Sequence, residues 1–131
     1  MKKKGLAIIS IVVLVILMTV NFSTVILIGN KSVTAKYIYG DKNIITELSD
    51  EDAKSVKKIL NGEHISVFAL PACGFDENVA VLINNKTFCI ACDVCGTVYF
   101  KERNGYIILD EDENEELRRI LSGYGFEWPC H

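Results

Sequence analysis

The feature that most constrains this chain is an uncharged run from Gly5 to Asn30, GLAIISIVVLVILMTVNFSTVILIGN, entered directly from Lys2, Lys3 and Lys4. About 20 apolar residues wound as a helix cover the roughly 30 Å hydrocarbon core of a bilayer, where backbone polar groups must be satisfied internally. A helix buried in a water-soluble domain carries an apolar stripe, whereas this run is apolar on every side. The run is therefore expected to be a transmembrane helix or signal segment. By the positive-inside rule the lysines keep their end in the cytoplasm and send the downstream chain outside it. The expected organisation is a cytoplasmic basic end at residues 1–4, the membrane segment at 5–30, and an extracytoplasmic cysteine-containing domain at 31–131.

Retention and cleavage both export that domain. Val33-Thr34-Ala35 places small residues where an export peptidase reads, so a cleaved, secreted chain would begin at Lys36. A signal h-region, however, is typically about 7 to 15 residues, and here apolar character resumes at Val25-Ile26-Leu27-Ile28. Length thus favours a single-pass anchor, with secretion after Ala35 as the alternative.

Charge narrows the partners. Setting aside the three leading lysines, the 14 Lys plus Arg become 11 against 17 Asp plus Glu, a formal net charge of −6 on residues 31–131. Nucleic-acid binding needs a basic surface that displaces counterions, so no nucleic-acid partner is expected.

The remainder reads as α+β. Thr34 to Tyr39 and Asn43 to Leu48 are rich in β-branched and aromatic residues around the turn residues Gly40-Asp41-Lys42, a hairpin pattern. Ser49 then caps a helix whose acidic first turn sits on the positive end of the macrodipole. Its stripe is Ala53, Val56, Ile59 and Leu60, and Asn61-Gly62 ends it. Further strands are expected at His64 to Leu70, Val79 to Asn84, Thr87 to Cys92, Thr97 to Lys101 and Tyr106 to Leu109. Asn84-Asn85 and Asn104-Gly105 tolerate positive φ and suit tight hairpins. A second helix runs from about Asp110 to Ser122 with Leu117, Ile120 and Leu121 as its stripe.

Residues 37–62 align without a gap on residues 98–123 at a constant offset of 61. Leu48 meets Leu109, Ile59-Leu60 meets Ile120-Leu121, and Lys57-Lys58 meets Arg118-Arg119. The correspondence suggests a ββα unit used twice around a central hairpin, although any hairpin followed by a capped amphipathic helix obeys the same local rules. The expected architecture is a small antiparallel sheet with two helices on one face.

Cysteine carries the candidate chemistry: Cys73, Cys89, Cys92, Cys95 and Cys130. Exported cysteines are usually oxidised, and a staple contributes roughly 2 to 4 kcal/mol to a small domain. Two disulfides and one thiol left over are expected, in any of fifteen pairings. Strand alternation puts Cys89 and Cys92 on opposite faces, which disfavours a bond between them. Cys130 would gain most from a bond, since an untied terminus frays.

A structural zinc site is the second reading. Cys92-Asp93-Val94-Cys95-Gly96 has the spacing of a tetrahedral thiolate pair, with further ligands to come from Cys73 and Cys130, and less readily from His64 or His131. Thiol–disulfide exchange through Cys89-x-x-Cys92 or Cys92-x-x-Cys95 is the third, but neither pair opens a helix, the setting that lowers a thiol pKa. No G-x-S-x-G, H-E-x-x-H or phosphate loop occurs, so no catalytic residue is assigned and an enzyme is the lesser expectation. The acidic runs 50–52 and 110–113 lack the alternating ligand spacing of a calcium loop and are explained by helix capping. The aromatic residues Tyr37, Tyr39, Tyr99, Phe100 and Tyr106 fit strand packing better than a binding face.

The segments Ala72-Cys73-Gly74-Phe75, Thr87 to Cys95 and Tyr124 to Cys130 together resemble small, exported, cysteine-containing bacterial proteins that carry no assigned activity. The resemblance covers residues 72–130 and implies a common role for the cysteines without implying a reaction. The expected function is a disulfide-stapled interaction module, anchored in the membrane through residues 5–30, that meets an unidentified protein partner and needs no cofactor unless zinc replaces the disulfides.

Overall fold

The computed structural model describes residues 2–25, 27, 32–66, 74–91 and 95–128, with the backbone alone for residues 2 and 18–23. It is an α+β fold: one six-stranded antiparallel sheet and three helices. The elements run α1 (Lys2–Ser23), β1 (Val33–Tyr39), β2 (Lys42–Glu47), α2 (Asp50–Leu60), β3 (Val79–Ile83), β4 (Lys86–Ile90), β5 (Thr97–Phe100), β6 (Gly105–Ile108) and α3 (Glu111–Ser122).

The large aliphatic side chains of α1 from Leu6 to Leu17 are between 48% and 65% exposed, with no face turned inward. Side chains of α1 are described over residues 3–17. Among the described residues no helix is long and apolar enough to cross a membrane. The chain leaving α1 turns into the domain. Val25 is buried, its N–H donates to the Glu63 carbonyl (3.0 Å) and its own carbonyl accepts from Gly62 (2.7 Å). Thr24 pairs with His64, and the Leu27 N–H donates to the Asn61 side chain at 2.9 Å.

The sheet order is β2-β1-β3-β4-β5-β6. Alternation along the strands sorts residues onto two faces. On the inner face lie Val33, Ala35 and Tyr37 of β1, Val79, Val81 and Ile83 of β3, Phe88 and Ile90 of β4, Val98 and Phe100 of β5, and Ile107 of β6. They form one hydrophobic core with Val56 and Leu60 of α2 and Leu117 and Leu121 of α3, so both helices cover the same face. Phe88 and Phe100 stack across β4 and β5 with ring centroids 4.6 Å apart.

Local chemistry explains the helix limits. The Ser49 hydroxyl accepts from the Asp52 N–H at the start of α2, and Asp110 makes a reciprocal capping box with Glu113 at the start of α3. The expected strand over His64 to Leu70 is replaced, where described, by isolated bridges from His64 to Thr24 and from Ser66 to Tyr106, and residues 67–70 lie outside the described set. Asn84 and Asn85 both adopt positive φ in the two-residue turn joining β3 to β4. The expected tight turn at Asn104-Gly105 is instead a four-residue connection: a 3-10 turn over Lys101–Arg103, then Asn104 at φ 47°.

The C-terminal tail is held without reference to Cys130, which lies outside the described residues. Phe126 is buried against Tyr37 (centroids 4.9 Å apart), Lys42 pairs with Glu127 at 2.7 Å, and the Trp128 indole N–H donates to Ser122.

Candidate functional site

Among the described residues, the outer sheet face is where cysteine, aromatic and charged side chains meet. Register builds one continuous row across it: Ile45, Lys36, Ala80, Cys89, Tyr99 and Tyr106, ending at the Ser66 bridge. Cys89 sits near the middle of this row. Phe75 lies over the neighbouring strands, its ring 5.8 Å from Tyr99 and 5.7 Å from Tyr106, which are themselves 5.2 Å apart. Ala80 beside Cys89 is fully buried, so the thiol is closed off laterally as well.

Cys89 is a free thiol, 1% exposed. Burial first, and then the negative charges of Glu77 and Glu102, push its pKa up to about 11. The thiolate is the nucleophile and the metal-binding form, so this environment suppresses both uses. Glu77 is engaged by Lys101 at 2.7 Å and the Glu102 carboxylate accepts from the Thr87 N–H, which holds these charges in place beside β4.

Cys95, by contrast, is exposed and disulfide-bonded. Cys73, Cys92 and Cys130, and with them His131, lie outside the described residues, so the structure brings none of them to a described site. No group of three or more potential metal ligands occurs among the described residues. His64 is exposed and sits in the bridge to Thr24 rather than beside a described cysteine.

Sequence reasoning does not single out Arg118. The pattern joins it to Arg119 as one basic helix end, yet the two differ: Arg119 is exposed and pairs with Glu116 at 2.7 Å, while Arg118 is 8% exposed. Its guanidinium lies 4.5 Å from the Trp128 ring centroid, both terminal nitrogens reach the Ala91 carbonyl at 3.4 Å, and Nε donates to Asn114 at 2.9 Å. One cation thus joins α3, the end of β4 and the tail. The signal available is its i+1 position after Leu117 on the inner side of the helix, visible only once the tail is known to fold back.

No family model, curated protein or solved structure matches the chain.

Proposed function

We propose that this protein is a membrane-anchored, extracytoplasmic interaction module whose cysteines, apart from Cys89, staple the domain. The observation that carries the anchored reading is the burial of the chain just after α1. Val33 and Ala35 are fully buried in the middle of the sheet, and Val25 is bonded to Gly62 and Glu63. A peptidase cutting after Ala35 would remove the first three residues of β1, which pair with both β2 and β3. Retention of the leader leaves the domain whole. The exposed apolar side chains around α1 then have a solvent that suits them, the acyl region of a bilayer.

The stapled reading is supported by Cys95, whose disulfide removes it from the thiolate pool a zinc site needs. Thiol exchange through Cys89 is disfavoured by its buried, raised thiol. The matching ββα stretches at the two ends of the sheet support a duplicated unit, with the β3–β4 hairpin as its centre. The outer sheet face, with Ile45 and Ile108 each more than 60% exposed, is the surface offered to a partner.

The test is intact mass of the full chain recovered from the membrane fraction of an expressing bacterium, with and without alkylation and reduction. Expected are an uncleaved chain resistant to alkaline extraction, two disulfides, and one thiol labelled after unfolding and mapped to Cys89. A mature chain beginning at Lys36 overturns the anchor. Five alkylatable thiols with stoichiometric zinc replace the staples by a metal site.

A further inference from the structure

We propose that β2 is a homotypic edge through which two copies of this chain join their sheets, strand against antiparallel strand, about a two-fold axis at Ile45. The two ends of the sheet are unlike. Beyond β6, Ser66 closes the ladder by exchanging both main-chain bonds with Tyr106 at 2.8 Å. β2 is the opposite end, and parity fixes which of its groups are already used. The Leu48 N–H donates to the Val33 carbonyl at 2.8 Å, while the Ile38 N–H, on the other edge of β1, donates to the Asn78 carbonyl at 2.8 Å. Bonds alternate along an antiparallel strand, so Lys42, Ile44 and Thr46 direct their main-chain groups to β1, and Asn43, Ile45 and Glu47 turn theirs outward. These three residues are exposed, and among the described residues no hydrogen bond reaches their outward main-chain groups. Lys42, at the start of the strand, is held by the tail, where its ammonium bonds the Gly125 carbonyl at 3.1 Å and the Glu127 carboxylate at 2.7 Å.

The order of the outward residues selects a second copy as the occupant. Asn43, Ile45 and Glu47 are evenly spaced about Ile45, so an antiparallel copy in that register sets Ile45 opposite Ile45 and each Asn43 opposite a Glu47. Each facing pair is of the kind that exchanges two bonds, and together the pairs satisfy every outward group of both strands. Facing residues point to the same side of a sheet. The two Ile45 side chains, 62% exposed in a single copy, therefore cover each other on the outer face, and the Asn43 amide can donate to the Glu47 carboxylate. An unlike extended peptide would meet the same main-chain groups but has no such match built into this strand. The strand also pairs with β1 without a bulge and contains no proline, two devices that keep natural edges apart. The formal charge of −6 on residues 31–131 makes two copies repel at long range, which salt at about 0.15 M screens beyond roughly 8 Å. One short strand from each copy makes a small interface, so the association is concentration-dependent.

Sedimentation equilibrium of the full chain in density-matched detergent micelles, at about 0.15 M salt over a concentration series, is expected to pass from the mass of one chain to that of two. Residue-resolved amide exchange on the same samples reads the interface. Protection of the Asn43, Ile45 and Glu47 amides is expected to rise on the order of tenfold with the dimer, while Ile44 and Thr46, bonded to β1 in either state, keep theirs. Ile45→Pro removes an N–H that β1 does not use, and Ile45→Lys sets two ammonium groups against each other on the axis. Both are expected to stay monomeric, and the second carries the test if the first fails to fold. Ile108→Lys, on the outer face at the far end of the sheet, is expected to dimerise as the unmodified chain does. Four results overturn the proposal: a single-chain mass throughout, which would leave the edge to an unlike partner; a dimer that persists in Ile45→Lys, as association through α1 would; a dimer lost in Ile108→Lys; or protection that rises equally at Ile44 and Thr46.

Discussion

At the residue scale, the two described cysteines sit in unlike environments, Cys89 buried and Cys95 exposed. Cys89, near the middle of a sheet row and paired across to Tyr99, is a free thiol. With Cys89 free, the four remaining cysteines allow three two-disulfide arrangements in place of fifteen. Its pKa of about 11, against an ordinary 9.0, lowers the thiolate fraction near neutrality about a hundredfold before access is considered. Native protein at mildly alkaline pH is therefore expected to resist iodoacetamide, and the label to appear at Cys89 after unfolding. Rapid stoichiometric labelling of the folded chain would contradict this burial. The same raised value has a linkage consequence: the contribution of the protonated thiol is complete below 9.0 and is lost as pH rises towards about 11. Arg118 is the second residue whose role comes from its surroundings. Arg118→Ala removes the contacts to Trp128, Ala91 and Asn114 together and is expected to destabilise the domain by about 1–3 kcal/mol, read by urea unfolding.

At the element scale, the two ββα stretches agree where local rules act and part where turn chemistry differs. Ser49 and Asp110 cap helices that begin one residue later, and Leu48 and Leu109 are both buried just before them. The hairpins, however, pair in different registers. Tyr39 closes on Lys42, while Phe100, the counterpart of Tyr39, closes on Gly105, the counterpart of Ile44. The pairing has slipped by two residues, a shift that keeps every side chain on its face because strands repeat with period two. The cause is at the turn. Gly40 takes φ +59°, and its counterpart is Lys101, for which a left-handed conformation is costly. The second hairpin therefore extends to Asn104, which tolerates positive φ. Caps, stripes and turn residues are thus legible in the sequence because each depends on neighbours within a few positions. The register slip, the sheet order, the burial of Arg118 and the docking of Val25 depend on distant partners and are not. Asp110→Ala is expected to cost about 1 kcal/mol or more, and Ser49→Ala about 1 kcal/mol, each read as a shift of the urea midpoint. Asn85→Val, at φ +65°, is expected to cost about 1–2 kcal/mol, while Asn85→Gly stays near neutral.

At the scale of the whole molecule, the chain joins the domain at Thr24, within the hydrophobic run rather than after it. The apolar stretch has two duties. Its first part is the helix α1, exposed all round over residues 3–17, and its last part supplies Val25 and Leu27 to the packing of the domain. Shortening the chain from its N-terminus should therefore have a sharp threshold. A chain beginning at Thr24 keeps Val25, β1 and their bonds. One beginning at Lys36 loses Val33 and Ala35 from the core, the Leu48 N–H bond to the Val33 carbonyl, and the ladder contacts of residues 33–35 with β2 and β3. Burial of one valine contributes about 1.5–3 kcal/mol and each net backbone hydrogen bond about 1 kcal/mol. Together with the loss of Val25, the deletion removes an amount comparable to the roughly 5–15 kcal/mol that stabilises a typical domain. The chain from Thr24 is expected to unfold cooperatively in urea, and the chain from Lys36 to lack a cooperative transition and near-ultraviolet dichroism. Matching transitions in the two would show that the buried start of β1 is dispensable, and with it the argument that the leader stays attached.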